Sequence, residues 1–212
     1  MAIRLVLEII DPITECPETD IEIEVPNLDF ISSLIGEEEI KGHYDYRLDA
    51  VDTAKIASHF RIPVEESATA LLRHRHHLDD RPYQIHTNRE LLLMLNGVKP
   101  LAAFAEEHRC LAEDSFIPER LFDPYVAAGR FIKREYVETR DMHGYRLRRV
   151  LYARPEEAWR IDAYILLCHT QEKTGWNDSL ERMEGHLLGY EEWQTDVHMA
   201  ARKELMWAKE AE

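Results

Sequence analysis

Arg154-Pro155-Glu156-Glu157-Ala158-Trp159-Arg160-Ile161-Asp162-Ala163-Tyr164-Ile165-Leu166-Leu167-Cys168 is the stretch whose reading decides the fold. Proline suits a first helical turn, because the N–H it lacks would go unpaired there in any case. Glu156 and Glu157 then stand where the helix dipole favours negative charge. Ala158, Ile161, Ile165 and Cys168 form one apolar stripe, and Trp159, Ala163, Leu166 and Leu167 form the adjoining one. A helix apolar over that much of its circumference is expected to be buried. A sheet and two later helices are expected to pack on it.

Upstream of this helix, Arg130–Glu138 and Tyr145–Ala153 read as the best strand pair in the chain, joined by Asp141-Met142-His143-Gly144. Downstream, Gly175 ends the helix. Asp178 with Glu181 makes a capping-box pattern for a second helix, with Leu180, Met183, Leu187 and Leu188 facing inward. After Gly189, a third helix from Tyr190 to about Ala208 presents Trp193, Val197, Ala200 and Ala201 to the core.

In the first half, Ile3–Ile9 is a β-prone run, and Ile21-Glu22-Ile23-Glu24-Val25 alternates with period two, as a strand with one wet face does. The two make a hairpin with a long loop. Leu28–Ile35 is apolar and too short to assign, and Glu37-Glu38-Glu39 after it reads as a solvated face. Asp52 or Thr53 caps a helix through Phe60, and Pro63 opens another that carries Ala68, Leu71 and Leu72 inward. Tyr83–His86 reads as a short strand. Asn88 caps a helix through Leu95 that stops at Asn96-Gly97. Lys99–Phe104 reads as a strand, and residues 107–129 read mostly as connection, broken at Pro118 and Pro124. The fold expected is α+β: a small antiparallel sheet packed on a buried helix, with a helical C-terminal third. Residues 1–212 are read as a single mixed α+β domain, subdivided if at all into a sheet-containing part, 1–154, and a helical part, 155–212.

The net charge of −15 is unevenly spread. Residues 1–60 carry 4 Lys/Arg against 14 Asp/Glu, and residues 155–212 carry 6 against 13. Between them, residues 61–110 balance at 7 and 7, and residues 111–154 carry 9 against 7. An acidic total argues against non-specific nucleic-acid binding, which depends on attraction to phosphate. The longest apolar run, Ala163–Cys168, falls far short of the ~20 residues that span a bilayer. Glu8 interrupts the first apolar run too soon for a secretion signal. Cys16, Cys110 and Cys168 lie far apart and read as reduced thiols, so a cytoplasmic protein is expected.

Four local patterns bear on function. Tyr83-Gln84-Ile85-His86-Thr87-Asn88-Arg89-Glu90 sets a titratable His86 and Arg89 at a helix start, where free N–H groups bind anions. The bland reading is a helix cap with polar neighbours. Residues 130–154 hold 8 Arg/Lys, and Arg130 and Lys133 are expected beside Lys99–Phe104 in one sheet, completing an anion site with His86 and Arg89. The bland alternative is pairing of this basic hairpin with the chain's own acidic ends. His74, His76 and His77 lack the spacing of a helical metal pair, so no metal is expected. Ala54–Arg73 has the rhythm of a helix-turn-helix, but Glu65 and Glu66 would open its recognition helix against phosphate. No phosphate loop, dinucleotide fingerprint or nucleophile elbow occurs, and no cofactor is expected. Two functional expectations follow. The first is an acidic, non-catalytic, partner-binding or regulatory protein that engages a basic protein. The second is a small enzyme or sensor for an anionic metabolite, built on His86, Arg89, Arg130 and Lys133.

Overall fold

A computed structural model describes residues 2–36, 45–107, 115–140 and 145–210. Glu37-Glu38-Glu39, Cys110 and the loop 141–144 lie outside the described residues. The fold is α+β, with two small antiparallel sheets and a helical C-terminal third. The chain folds as two compact units, Met1–Leu92 and Leu93–Glu212.

In the first unit, β1 (Ile3–Ile10) and β2 (Pro17–Val25) form the expected hairpin. Its long loop is held by Asp11, whose Oδ1 accepts from Thr14 N and Thr14 Oγ1, each at 2.7 Å. Leu28–Ile35 is helix α1, capped by the Asn27 side chain and ended by Gly36 at φ 85°. Next come β3 (Tyr46–Leu48), α2 (Ala50–Phe60) and β4 (Thr69–His74). The cap of α2 is Asp49, accepting from Asp52 N, and not Asp52 or Thr53. Strand order is β2-β1-β4-β3. Leu5, Leu7, Ile23, Val25, Ala70 and Leu72 fill one face of this sheet and meet Ile31, Ile35 and Ile56 of the two helices. Burying each of these Leu, Ile and Val side chains removes apolar surface worth about 1.5–3 kcal/mol from water.

The helix expected from Pro63 does not exist. Residues 69–74 are strand β4, so Ala70 and Leu72 are buried while Leu71 turns to the other face. The helix-turn-helix reading fails with it, since no recognition helix follows α2. His74 ends a strand, and His76 caps the short 3-10 turn His77–Asp80. Tyr83–His86 is not a strand.

Helix α3 (Glu90–Leu95) crosses the boundary between the units. The second unit then contains β5 (Leu101–Glu107), α4 (Glu119–Ala127), β6 (Ile132–Arg140) and β7 (Tyr145–Ala153). Residues 119–127 are therefore a helix that carries Pro124 inside it, not connection. The order is β5-β7-β6, so β7 separates β6 from the strand it was expected to join. The C-terminal helices are α5 (Trp159–Thr174), α6 (Asp178–Leu188) and α7 (Glu192–Glu210). Leu101, Leu151 and Ala153 pack on Ile161, Tyr164, Leu167 and Cys168 of α5 and on Leu180 and Leu187 of α6. On the opposite face of the sheet, Phe122 of α4 stacks on Tyr152, with ring centroids 4.4 Å apart.

Helix α5 is a core helix on one face only. Trp159 and Leu166 are 52% and 65% exposed, which corrects the expectation of burial all round. Trp193 of α7 is likewise half-exposed. Asn177, not Asp178, caps α6, its side chain accepting from Ser179 N and Leu180 N. Gly189 ends α6 at φ 89°, where a Cβ would collide with the Pro100 ring.

Candidate functional site

Strands alternate their side chains, so one face of the first unit's sheet is apolar and the other is not. Register sets Arg4 beside Glu24, Val6 beside Glu22 and Glu8 beside Asp20 across β1 and β2. On the other side of β1, Val6 pairs with Arg73 and Glu8 with Leu71 of β4. All of these project from the face opposite α1 and α2. Val6, Glu8, Asp20, Glu22 and Arg73 of this set, with the segment that follows β4, border a groove of about 750 Å³.

Its charges are partly tied together. Arg73 donates from both Nη atoms to Asp79, each at 2.7 Å, and from Nε to Glu8 at 2.8 Å. Burial alone would raise the Asp79 carboxyl, but the Arg73 bonds and the His76 N–H hold it below the usual range. Arg75 bonds Glu22 at 2.9 Å and also Asp80. Arg89 is 4% exposed and donates to the Pro17 carbonyl and the Asp20 carboxylate, with Glu8 at 3.7 Å.

The balance is negative. Six carboxylates line the groove (Glu8, Glu18, Asp20, Glu22, Asp45 and Asp79) against the guanidiniums of Arg73, Arg81 and Arg89. Glu24 extends the acidic row along β2 beyond the groove.

Of the residues singled out from sequence, His86 and Arg89 belong to this first unit, and both are buried. They are adjacent, with Arg89 N donating to the His86 carbonyl at 3.0 Å. Arg130 and Lys133 belong to the second unit. The Arg130 guanidinium lies over the Tyr125 ring, 5.4 Å from its centroid. Lys133 Nζ bonds Glu119 at 2.5 Å and Asp123 at 2.8 Å. Arg148 bonds Glu135, Glu106 and Glu119 at 2.7–2.9 Å. The basic hairpin is thus paired within its own unit, mostly by carboxylates of 106–135 rather than by the acidic ends. Among the described residues, two of its cations do reach the acidic C-terminal segment: Arg154 leans on nearby Glu156 and Glu157, and Arg134 stands 3.6 Å from Asp162.

Inside the second unit, Arg149 and Glu138 form a buried pair, and Tyr164 Oη donates to Glu184 at 3.0 Å. Burial pushes the nearby Cys168 thiol upward despite Arg149, which leaves it a poor nucleophile.

Comparison with family models, curated proteins and solved structures found no match to this chain. Geometry and charge carry the functional reading.

The acidic row of β2 was visible in sequence as the wet face of an alternating strand. What sequence did not reveal was its company. Glu8 lies 65 residues before Arg73, and it is the order β2-β1-β4 that brings it to one groove with Arg73 and the nearby Asp79.

Proposed function

We propose that the protein is a non-catalytic, acidic binding module whose first-unit groove receives a positively charged segment of a partner protein. The observation that carries this reading is the charge of the groove wall. Six carboxylates face three guanidiniums, and Arg73 and Arg89 are already bonded to carboxylates of the same wall. A cation entering there meets surplus negative potential, which steers association and sets its salt dependence. An anion would have to displace Asp20 from Arg89 and lie among like charges, so the groove favours the cationic partner over an anionic metabolite at His86 and Arg89. Cys16 and Cys168 are buried, unlinked thiols, which suits a reducing cytoplasm.

The test is fluorescence anisotropy of a labelled lysine-rich peptide with the full chain at low and moderate salt. Binding at low salt should fall at least ~tenfold as the Debye length shrinks from ~30 Å toward ~8 Å. Glu18→Lys with Glu24→Lys should weaken it similarly, because among the described residues neither carboxylate is an ion-pair partner of the arginine network. An equal affinity for a glutamate-rich peptide, or no change on charge reversal, would refute the reading.

A further inference from the structure

The acidic row lies on an edge strand, and the edge itself carries information. Among the described residues, no strand pairs with the outer side of β2. Main-chain direction follows from one bond. Arg75 N donates to the Arg4 carbonyl, so Arg4 turns its main chain toward β4. Alternation then turns Leu5 and Leu7 toward β2, where they face Ile23 and Ile21. Ile21 and Ile23 are thereby used inward, and Asp20, Glu22 and Glu24 point their N–H and C=O groups outward. The same three residues carry exposed carboxylates. A strand laid on this edge would meet hydrogen-bond groups and negative charge at the same positions.

Resting on the reading above, we propose that the partner segment docks as an extended strand, antiparallel to β2, with Lys or Arg at every second position. Residues opposite Asp20, Glu22 and Glu24 would exchange main-chain hydrogen bonds with them and also point side chains to the same face. Directly opposed charges of opposite sign stabilise such a pair, whereas two copies of β2 would oppose acid to acid. That disfavours edge-to-edge pairing of this chain with itself and commits the edge to a basic occupant. Asp20 and Glu22 keep 40% and 48% of their side-chain surface open despite their arginine contacts, so a second cation can reach them.

The experiment uses the full chain and three labelled peptides of alternating Lys and Thr: unmodified, N-methylated at the Lys residues, and N-methylated at the Thr residues. Methylation at Lys removes the donors that face β2 and should weaken binding ~tenfold or more, about one good hydrogen bond. Methylation at Thr alters donors that face solvent and should change affinity by less than ~threefold. If all three peptides bind alike and only salt weakens them, strand docking is overturned while the cationic reading stands. If both methylated peptides lose affinity equally, the proposed register is overturned. If none binds at low salt, the cationic reading fails, and strand docking fails with it. An acidic row that serves only to repel other edges would give that last result.

Discussion

Arg149 and Glu138 form an ion pair inside the second unit: Nη2 lies 2.8 Å from Oε1, and the side chains are only 10% and 6% exposed. They sit on neighbouring strands β7 and β6, on the face that packs against α5. Removing one partner strands a buried charge, so Glu138→Ala should cost about 3–5 kcal/mol. Replacing both by apolar residues of similar volume should be neutral or stabilising. Urea titration of the single and double variants checks this. A single variant that loses less than about 1 kcal/mol would mean that water reaches the pair.

The half-buried geometry of α5 separates two apolar residues that look alike in sequence. Leu167 is 2% exposed, and Leu167→Ala should cost about 2–5 kcal/mol. Trp159 is 52% exposed, with the Arg160 guanidinium 4.7 Å from its ring. Trp159→Ala should therefore cost no more than about 1 kcal/mol, the scale of an exposed cation–π contact. Denaturant midpoints at constant slope distinguish the two. A reversed order would put the other face of α5 inward.

The cap of α6 makes a similar distinction between neighbours. Asn177→Ala removes the acceptor for two helix N–H groups and should cost about 0.5–2 kcal/mol. Asp178 contributes surface contacts to Arg202 and Lys203 instead, and Asp178→Ala should stay under about 1 kcal/mol. Thermal unfolding of both variants is the check, and equal losses would contradict the assignment.

A pH dependence follows from Glu184. Burial raises its carboxyl above the usual 4.5, although the Tyr164 hydroxyl opposes this. A carboxyl raised in the folded state favours folding while protonated. That advantage is lost as pH rises from the unfolded value through the folded one. Glu184→Gln keeps an acceptor for Tyr164 and removes the charge. The variant should be more stable than the parent at pH 7–8, with the difference vanishing near pH 4. A difference that does not change with pH would show that the carboxyl titrates normally.

Much of this architecture was legible in the chain because period-two alternation is a strong local signal. It gave β2 and its wet face, and the β6–β7 pair. Ala68, Leu71 and Leu72 misled because their spacing also fits a helix. The neighbouring strands β1 and β3 decide the matter by supplying partners for residues 69–74. Pro118 and Pro124 hid α4, since a proline reads as a break unless packing such as Phe122 on Tyr152 holds the helix together. Trp159 misled through its size, because hydrophobicity does not tell which stripe of α5 faces the sheet. Of the candidate site, the acidic first segment and the strand bearing Glu22 and Glu24 were legible. The neutralisation of Arg89 by Asp20 was not, since it depends on folding together residues 69 apart.

The central claim is that a basic strand adds to the open edge of β2. Amide chemical shifts of the isotope-labelled full chain, followed during titration with the unmodified Lys–Thr peptide at low salt, test it most directly. The account predicts that the amides of Asp20, Glu22 and Glu24 move most and shift downfield as they gain hydrogen bonds, while those of Ile21 and Ile23 move less. Saturating shifts confined to other surfaces, or no shifts at β2 when the peptide is bound, would contradict it.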